Sequence, residues 1–226
     1  MSNAAPAGAL RASNPRVIVV TGATGDSGRA VASALLDAGH TVVAVGSNEE
    51  RLASVAASFR FVCDLTDVAA AAALATRVRE EVGRPDGLVH LVGGWRGGHE
   101  PEDWAWLEPR LVTSLRAVTL AFHDDLSASD AGRLVAVGSS SAAKPTWGGA
   151  NYAVLKTAAD AWVAGVASGW RKAGTAAAVT FVVKSLSTEA STEASGDGTP
   201  VAALAAAILP LWDQAAGDLN GAHIPL

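Results

Sequence analysis

Tyr152 and Lys156 stand four residues apart in the stretch N-Y-A-V-L-K, and Ser139 lies thirteen residues upstream. On a helix, residues at i and i+4 share one face. An ammonium placed there favours phenolate over phenol and lowers the tyrosine pKa from its ordinary value near 10. The phenol then becomes a usable proton donor or acceptor. Tyr152 is the only tyrosine among 226 residues, so chemistry that needs a phenol has one candidate. The spacing by itself recurs by chance on solvated helix faces, and the rest of the chain must decide what it means.

The bulk composition narrows the classes. A chain of 226 residues suits one α/β domain with a full-sized core. Half of it is hydrophobic, 17% is charged and the net charge is −5, which describes a soluble, mildly acidic protein without the basic footprint of a nucleic-acid binder. One cysteine, Cys63, allows no internal disulfide, and no C-x-x-C or His/Cys cluster suggests a metal, so a cytoplasmic protein without a metal is expected. Residues 1–14 are small and polar, lack the basic start and apolar stretch of a signal peptide, and read as a disordered tail. No apolar run reaches the roughly 18 residues a membrane span needs.

The elements that must position Tyr152 and Lys156 are legible as an alternation. The run R-V-I-V-V-T at 16–21 is β-branched and bounded by glycine, as a buried parallel strand is. A helix at 27–38 follows, with Val31 and Leu35 on one face and Gly39 as its stop. Strands at 41–45, 59–63, 88–92, 133–137 and 177–183 then alternate with helices at 49–57, 68–82, about 102–123 and 151–172. The pattern predicts an α/β fold: a single doubly wound, Rossmann-type domain over 15–226, with a central parallel sheet of about seven strands and helices on both faces. Residues 185–199 are too polar to order themselves and read as a mobile substrate loop. Thr199 and Pro200 look like N-cap and N1 of a last helix, and residues 221–226 like a short final strand.

After the first strand comes T-G-A-T-G-D-S-G at 21–28, running straight into a helix. Gly22 permits the tight turn, Gly25 lets the backbone approach a pyrophosphate, and Gly28 lets helix and strand pack closely. Thr24, Asp26 and Ser27 complete the turn and count with it as cofactor-binding, since the helix N-terminus favours an anion. At the end of the second strand, where a carboxylate would select NAD and an arginine NADP, the corner reads V-G-S-N at 45–48. Ser47 and Asn48 can donate hydrogen bonds to a 2′-phosphate, and Arg51 sits one turn into the next helix. This tips the choice toward NADP, with NAD the alternative and Arg51 then merely solvated.

With the glycine turn, Ser139, Tyr152 and Lys156 in place, the chain resembles the short-chain dehydrogenase/reductase family over nearly its whole length. G-R-L-V-A-V-G-S-S-S is similar to the family's fifth strand and serine turn, with Ser139 at the catalytic serine. C-D-L at 63–65 resembles the segment whose aspartate contacts adenine, which would place Asp64 and Leu65 at the cofactor; a turn or N-cap aspartate is the other reading of Asp64. The resemblance implies hydride transfer between a nicotinamide cofactor and a small carbonyl or alcohol. It implies Tyr152 as general acid/base, Ser139 holding the substrate oxygen, Lys156 bonding the nicotinamide ribose, and a homodimer or homotetramer built on the long helices.

Several positions depart from the family pattern. H-L-V-G at 90–93 replaces N-N-A-G: Gly93 still lets the backbone pass under the cofactor, and His90 is expected to be structural. Ser114 stands where an asparagine usually holds a relay water behind the lysine. V-K-S at 183–185 replaces the usual proline and glycine, leaving Val183 to meet the nicotinamide through its backbone and Lys184 solvated at a loop start. Trp95 and Trp147 are candidates for the substrate pocket; Trp104, Trp106, Trp162 and Trp170 are expected in core or dimer packing, and His99 in a flexible loop. These departures keep open a nucleotide-binding regulatory or scaffold protein with weak or no turnover. Epimerisation or dehydration with a retained cofactor ranks last, because little chain follows the sixth strand.

Overall fold

The β-branched run after Arg16 becomes β1 (Val17–Thr21), buried at all but its first residue. Its side chains alternate between two faces. Ile18 and Val20 join Val31, Leu35, Val42, Leu204 and Ile208 in one core layer, while Val19 joins Val43, Leu74, Val78, Leu88, Phe122 and Trp170 in the other. The computed structural model of the chain describes residues 14–172, 174–188 and 198–226. The expected tail, but for Asn14, lies outside them.

From β1 the chain continues through α1 (Asp26–Asp37), β2 (Thr41–Gly46), α2 (Glu49–Ala53), β3 (Phe59–Val62), α3 (Val68–Glu81) and β4 (Gly87–His90). Then come α4 (Pro101–Glu108), a π turn (Pro109–Thr113), α5 (Ser114–Ala128), β5 (Arg133–Ser139), α6 (Ala150–Trp170) and β6 (Ala177–Val183). Two short strands, β7 (Leu186–Ser187) and β8 (Thr199–Pro200), precede α7 (Val201–Ile208), α8 (Ala216–Leu219) and β9 (His223–Pro225). Seven strands form one sheet in the order β3-β2-β1-β4-β5-β6-β9, every neighbouring pair parallel. This is the doubly wound Rossmann-type arrangement. Among the described residues no helix is long and apolar enough to cross a membrane.

Four local differences from the sequence reading have physical causes. The long helix is not uniform: Pro109 has no N–H to give, and the Ser114 N–H reaches back to the Pro109 carbonyl across a five-residue turn. β4 stops at His90; the Leu91 N–H still donates to the Thr21 carbonyl (3.1 Å), and the Leu91 backbone then lies against Gly22. β5 runs on to Ser139, which pairs with Val183 of β6. Thr199 is not an N-cap; with Pro200 it pairs in parallel with Leu186–Ser187, its hydroxyl donates to the Leu226 carbonyl (3.2 Å), and Pro200 precedes the first helical residue. The ends of the 185–199 segment are thus ordered by β7 and β8, and 189–197 lie outside the described residues.

Arg133 at the start of β5 is buried without a carboxylate. Its guanidinium donates to the carbonyls of Gly132 (2.8 Å), Thr175 (3.0 Å), Leu211 (2.9 Å) and Gln214 (2.7 Å), tying the sheet to the segment that leads into α8.

Candidate active site

The sheet order reverses between β1 and β4, and in doubly wound folds ligands bind in the crevice outside the carboxyl ends of strands at such a point. Two cavities open there, of about 420 Å³ and about 630 Å³, and they share Leu91, Val92 and Gly93 as a common wall. The glycine turn forms one rim. Gly22 has φ 69°, and a Cβ on it would lie 2.6 Å from the Leu91 carbonyl carbon; a Cβ on Gly28 would lie 2.2 Å from the Gly22 oxygen. Both positions are closed to any side chain by backbone, whereas at Gly25 the nearest atom is 3.5 Å away. Gly22, Thr24 and Gly25 line the larger cavity and Ser27 the smaller, while Gly28 is buried behind them and Asp26 opens α1.

The larger cavity is walled by the ends of β2 and β3. Ser47, Arg51, Asp64 and Leu65 line it, joined by Cys63, Thr66, Arg110 and Ser114. The Arg51 guanidinium donates to the Thr24 carbonyl (3.3 Å), bridging α2 to the glycine turn. Asn48 is spent differently from expectation: its side-chain oxygen accepts the Arg51 N–H (2.9 Å) and caps α2, and it does not line the cavity. Asp64 accepts from both the N–H (2.9 Å) and hydroxyl (2.7 Å) of Thr66, bonds that hold its carboxyl below its usual range. It is a turn aspartate that also faces the cavity.

The smaller cavity holds the proton-transfer groups. α6 presents Tyr152 and Lys156 into it, one turn apart, while β5 lines it through Ala136, Val137 and Gly138 and ends at Ser139, just outside the lining. Ser139 is buried, shares a 2.8 Å hydrogen bond with the Ser141 hydroxyl, and bonds to the Tyr152 side chain. The Lys156 ammonium donates to the Val137 carbonyl (2.8 Å) and lies 5.8 Å from the centre of the Tyr152 ring. The expectation that Lys156 depresses the Tyr152 pKa is corrected here. Burial pushes the phenol up, the Ser139 hydrogen bond opposes it only in part, and Lys156 is not among the groups that act on it. The strongly displaced group of the pair is the lysine, lowered by burial from 10.5 to about 8.

Behind these groups lies a buried polar chain. His90 Nδ1 meets the Thr21 hydroxyl at 2.8 Å, and His90 Nε2 meets the Ser114 hydroxyl at 3.4 Å. The Ser114 hydroxyl donates its proton to the Arg110 carbonyl (2.8 Å), so it can only accept from His90. That assigns the Nε2–H tautomer, with Nδ1 accepting from Thr21. Burial, with a smaller push from Lys156, lowers His90 to about 3 and keeps it neutral. His90 therefore ties β1, β4 and α5 together, and the Ser114 proton is spent on the Arg110 carbonyl.

Trp95 lines the smaller cavity and is 71% exposed; Trp147, expected beside it, is 74% exposed and lines neither cavity. The two loops are fastened to each other: the Gly98 N–H donates to the Gly148 carbonyl (2.7 Å), and the His99 ring lies 4.4 Å from the Trp147 ring. His99 is thus an aromatic neighbour of Trp147. Val183 and Lys184 line the cavity from the end of β6. Trp170 is buried and donates to Ser127, whereas Trp104 is 41% exposed. Sequence reasoning missed Leu111, Leu115 and Asp160 in the smaller cavity and Arg110 in the larger. Asp160 carried a usable signal, being four residues beyond Lys156 on the same helix face; it pairs with His223 (2.7 Å).

The sequence model of the family described as short chain dehydrogenase matches residues 16–195. The chain belongs to the short chain dehydrogenase family. Among relatives of this short chain dehydrogenase, a 3beta-hydroxysteroid dehydrogenase of Mediterraneibacter gnavus is 38% identical over 104 residues, 41% of this chain and 38% of that protein. A 2,3-dihydro-2,3-dihydroxybenzoate dehydrogenase of Bacillus subtilis is 32% identical over 160 residues, 64% of this chain and 60% of the relative. The chain thus spans less than two thirds of the length of these relatives. In structure it is similar to a short chain dehydrogenase from Shigella flexneri complexed with NADP, with a TM-score of 0.83 at 24% identity, covering 96% of this chain and 98% of the other. That likeness concerns the fold.

Proposed function

We propose that this short chain dehydrogenase is an oxidoreductase that transfers a hydride between NADP and a carbonyl or alcohol carbon, with Tyr152 as its general acid/base. The observation that carries the reading is that Tyr152, hydrogen-bonded to Ser139, and Lys156 line one cavity that meets, at Leu91 to Gly93, a second cavity rimmed by the glycine turn. The second cavity fits a dinucleotide. Its backbone at Gly22 and Gly28 admits no Cβ, and its ribose corner carries Arg51 and Ser47 with no acid. Gly22, Thr24, Gly25 and Ser27 would hold the diphosphate, Ser47 and Arg51 the adenosine ribose, Asp64 and Leu65 the adenine, and Gly93, Lys156 and Val183 the nicotinamide end. A bound nicotinamide supplies or accepts the hydride.

The rest of the work falls to the chain's own side chains. Tyr152, with its pKa raised, keeps its proton at neutral pH and is set to donate it to a developing alkoxide. Ser139 stabilises that oxygen by a hydrogen bond. Lys156 remains charged below about pH 8 and can donate to the nicotinamide ribose. The resting protonation states therefore suit carbonyl reduction. Trp95 and the aliphatic side chains of Leu91, Leu111 and Leu186 exclude water and give a ring or apolar body a surface to rest on. Exposed Leu120 and Val154 on α5 and α6 support packing of those helices against a second copy, which sedimentation would test.

The test is a panel of small aldehydes, ketones and cyclic alcohols with NADPH and NADH. Turnover should be seen with NADPH and should fall by about 10²–10⁴-fold in Tyr152→Phe. Tight dinucleotide binding with no Tyr152-dependent turnover on any member would favour the regulatory reading instead.

A further inference from the structure

The larger cavity carries two guanidinium groups, one from α2 and one from the π turn. Arg51 has a place in the cofactor reading; Arg110 does not. Asp64 is the one carboxylate in the lining, and two bonds from Thr66 occupy one of its oxygens. The cavity is therefore net positive inside a chain whose overall charge is −5.

Arg110 is built to present its edge. Its guanidinium lies 4.3 Å from the centre of the Trp106 ring, and its Nη1 donates to the Trp106 carbonyl (2.7 Å). The indole is itself wedged in place: a Cβ on Gly94 would come within 2.8 Å of it. Glu108, the last residue of α4 before the turn, accepts from the Thr113 hydroxyl (2.6 Å). With one face stacked and one nitrogen anchored, the remaining in-plane N–H groups keep the fork geometry that suits a phosphate. The π turn supplies the aim. One extra residue in the turn shifts the helix phase by about 100°, and the residues of this turn at the cavity wall are Pro109 and Arg110. Such turns recur at functional sites.

We propose that Arg110 grips the diphosphate of the dinucleotide, while Arg51 answers to the ribose 2′-position. This rests on the dinucleotide reading of the cleft. The division follows from placement: Arg51 sits on α2 after Ser47, at the end of β2 where the ribose is expected, whereas Arg110 lines the same cavity as Gly93, which borders both cavities.

Calorimetric titration of the wild type, Arg110→Gln, Arg110→Lys and Arg51→Gln with NADPH, NADH and adenosine tests the assignment. A charge-assisted hydrogen bond is worth about 10- to 100-fold in affinity. Arg110→Gln should weaken NADPH and NADH by that factor alike and leave adenosine unchanged. Arg51→Gln should weaken NADPH alone. Arg110→Lys, which keeps the charge and loses the fork, should weaken both dinucleotides several-fold, and it carries the comparison should the glutamine variant fail to fold. Wild-type binding of both dinucleotides with unchanged affinity in the Arg110 variants overturns this assignment and leaves the proposed function standing. Weakening of NADPH alone, or an equal loss for adenosine, also overturns it. A wild type that binds neither dinucleotide defeats the proposed function itself.

Discussion

Replacing Lys156 by methionine should stabilise the protein at neutral pH while abolishing the proposed hydride transfer. A lysine ordinarily at 10.5 and held at about 8 by burial is charged at pH 7 in both the folded and unfolded chain. In the folded chain that charge costs about 3 kcal/mol, at about 1.4 kcal/mol per pH unit of displacement. Methionine removes the cost with a stem of similar volume. It also removes the 2.8 Å bond to the Val137 carbonyl, worth about 1.5–3 kcal/mol from a charged donor. The net gain at pH 7 is about 1 kcal/mol, or about 2–4 °C in Tm for a chain of this size. The pH dependence is the sharper signature. Between pH 8 and 10.5 the unfolded chain binds the extra proton, so wild-type stability rises with pH through that window relative to the variant. By pH 10.5 the penalty is gone, and the variant should be the less stable of the two. Urea unfolding followed by tryptophan fluorescence, at pH 7 and again near 10.5, gives the difference between the two proteins, in which every other titrating group cancels. Parallel profiles, with no shift of about 3 kcal/mol between the two pH values, would refute the claim that Lys156 is a desolvated cation held for function.

Three further outcomes follow from the same structure. Carbonyl reduction should decline as pH rises through about 8, because Lys156 loses its charge there while Tyr152 keeps its proton; a rate that stays level to pH 9 would show that the lysine charge is not used. His90, lowered from 6.5 to about 3, is neutral when folded and protonates when unfolded. Wild-type stability should therefore fall as pH drops from 6.5 towards 3, by up to about 5 kcal/mol, and acid titration of His90→Asn should show a shallower loss; an equal slope would assign the acid sensitivity elsewhere. Arg133→Met should cost about 3–5 kcal/mol in urea unfolding, since carbonyls of Thr175, Leu211 and Gln214 lose a buried donor; wild-type stability would mean that those carbonyls find other partners.

What could be read in the sequence was what local periodicity and spacing encode. The β-branched run before Gly22, the four-residue interval from Tyr152 to Lys156 and the strand at 133–137 each predict an element and a direction, because side-chain placement along a strand or helix is set by its repeat. The alternation of strands and helices was enough for the parallel sheet and the crevice at its switch point. Other features depended on contacts between residues far apart in the chain. Nothing local says that His90 would lie between Thr21 and Ser114, that Lys156 would reach the Val137 carbonyl, or that β7 and β8 would pair across the loop. The π turn that sets Arg110 at the cavity wall is a one-residue change of phase that periodicity is too coarse to show. The balance of charge at the centre belongs to the same class. Spacing placed a lysine beside a tyrosine, but burial is a property of the whole fold, and it was burial that lowered the lysine and raised the phenol.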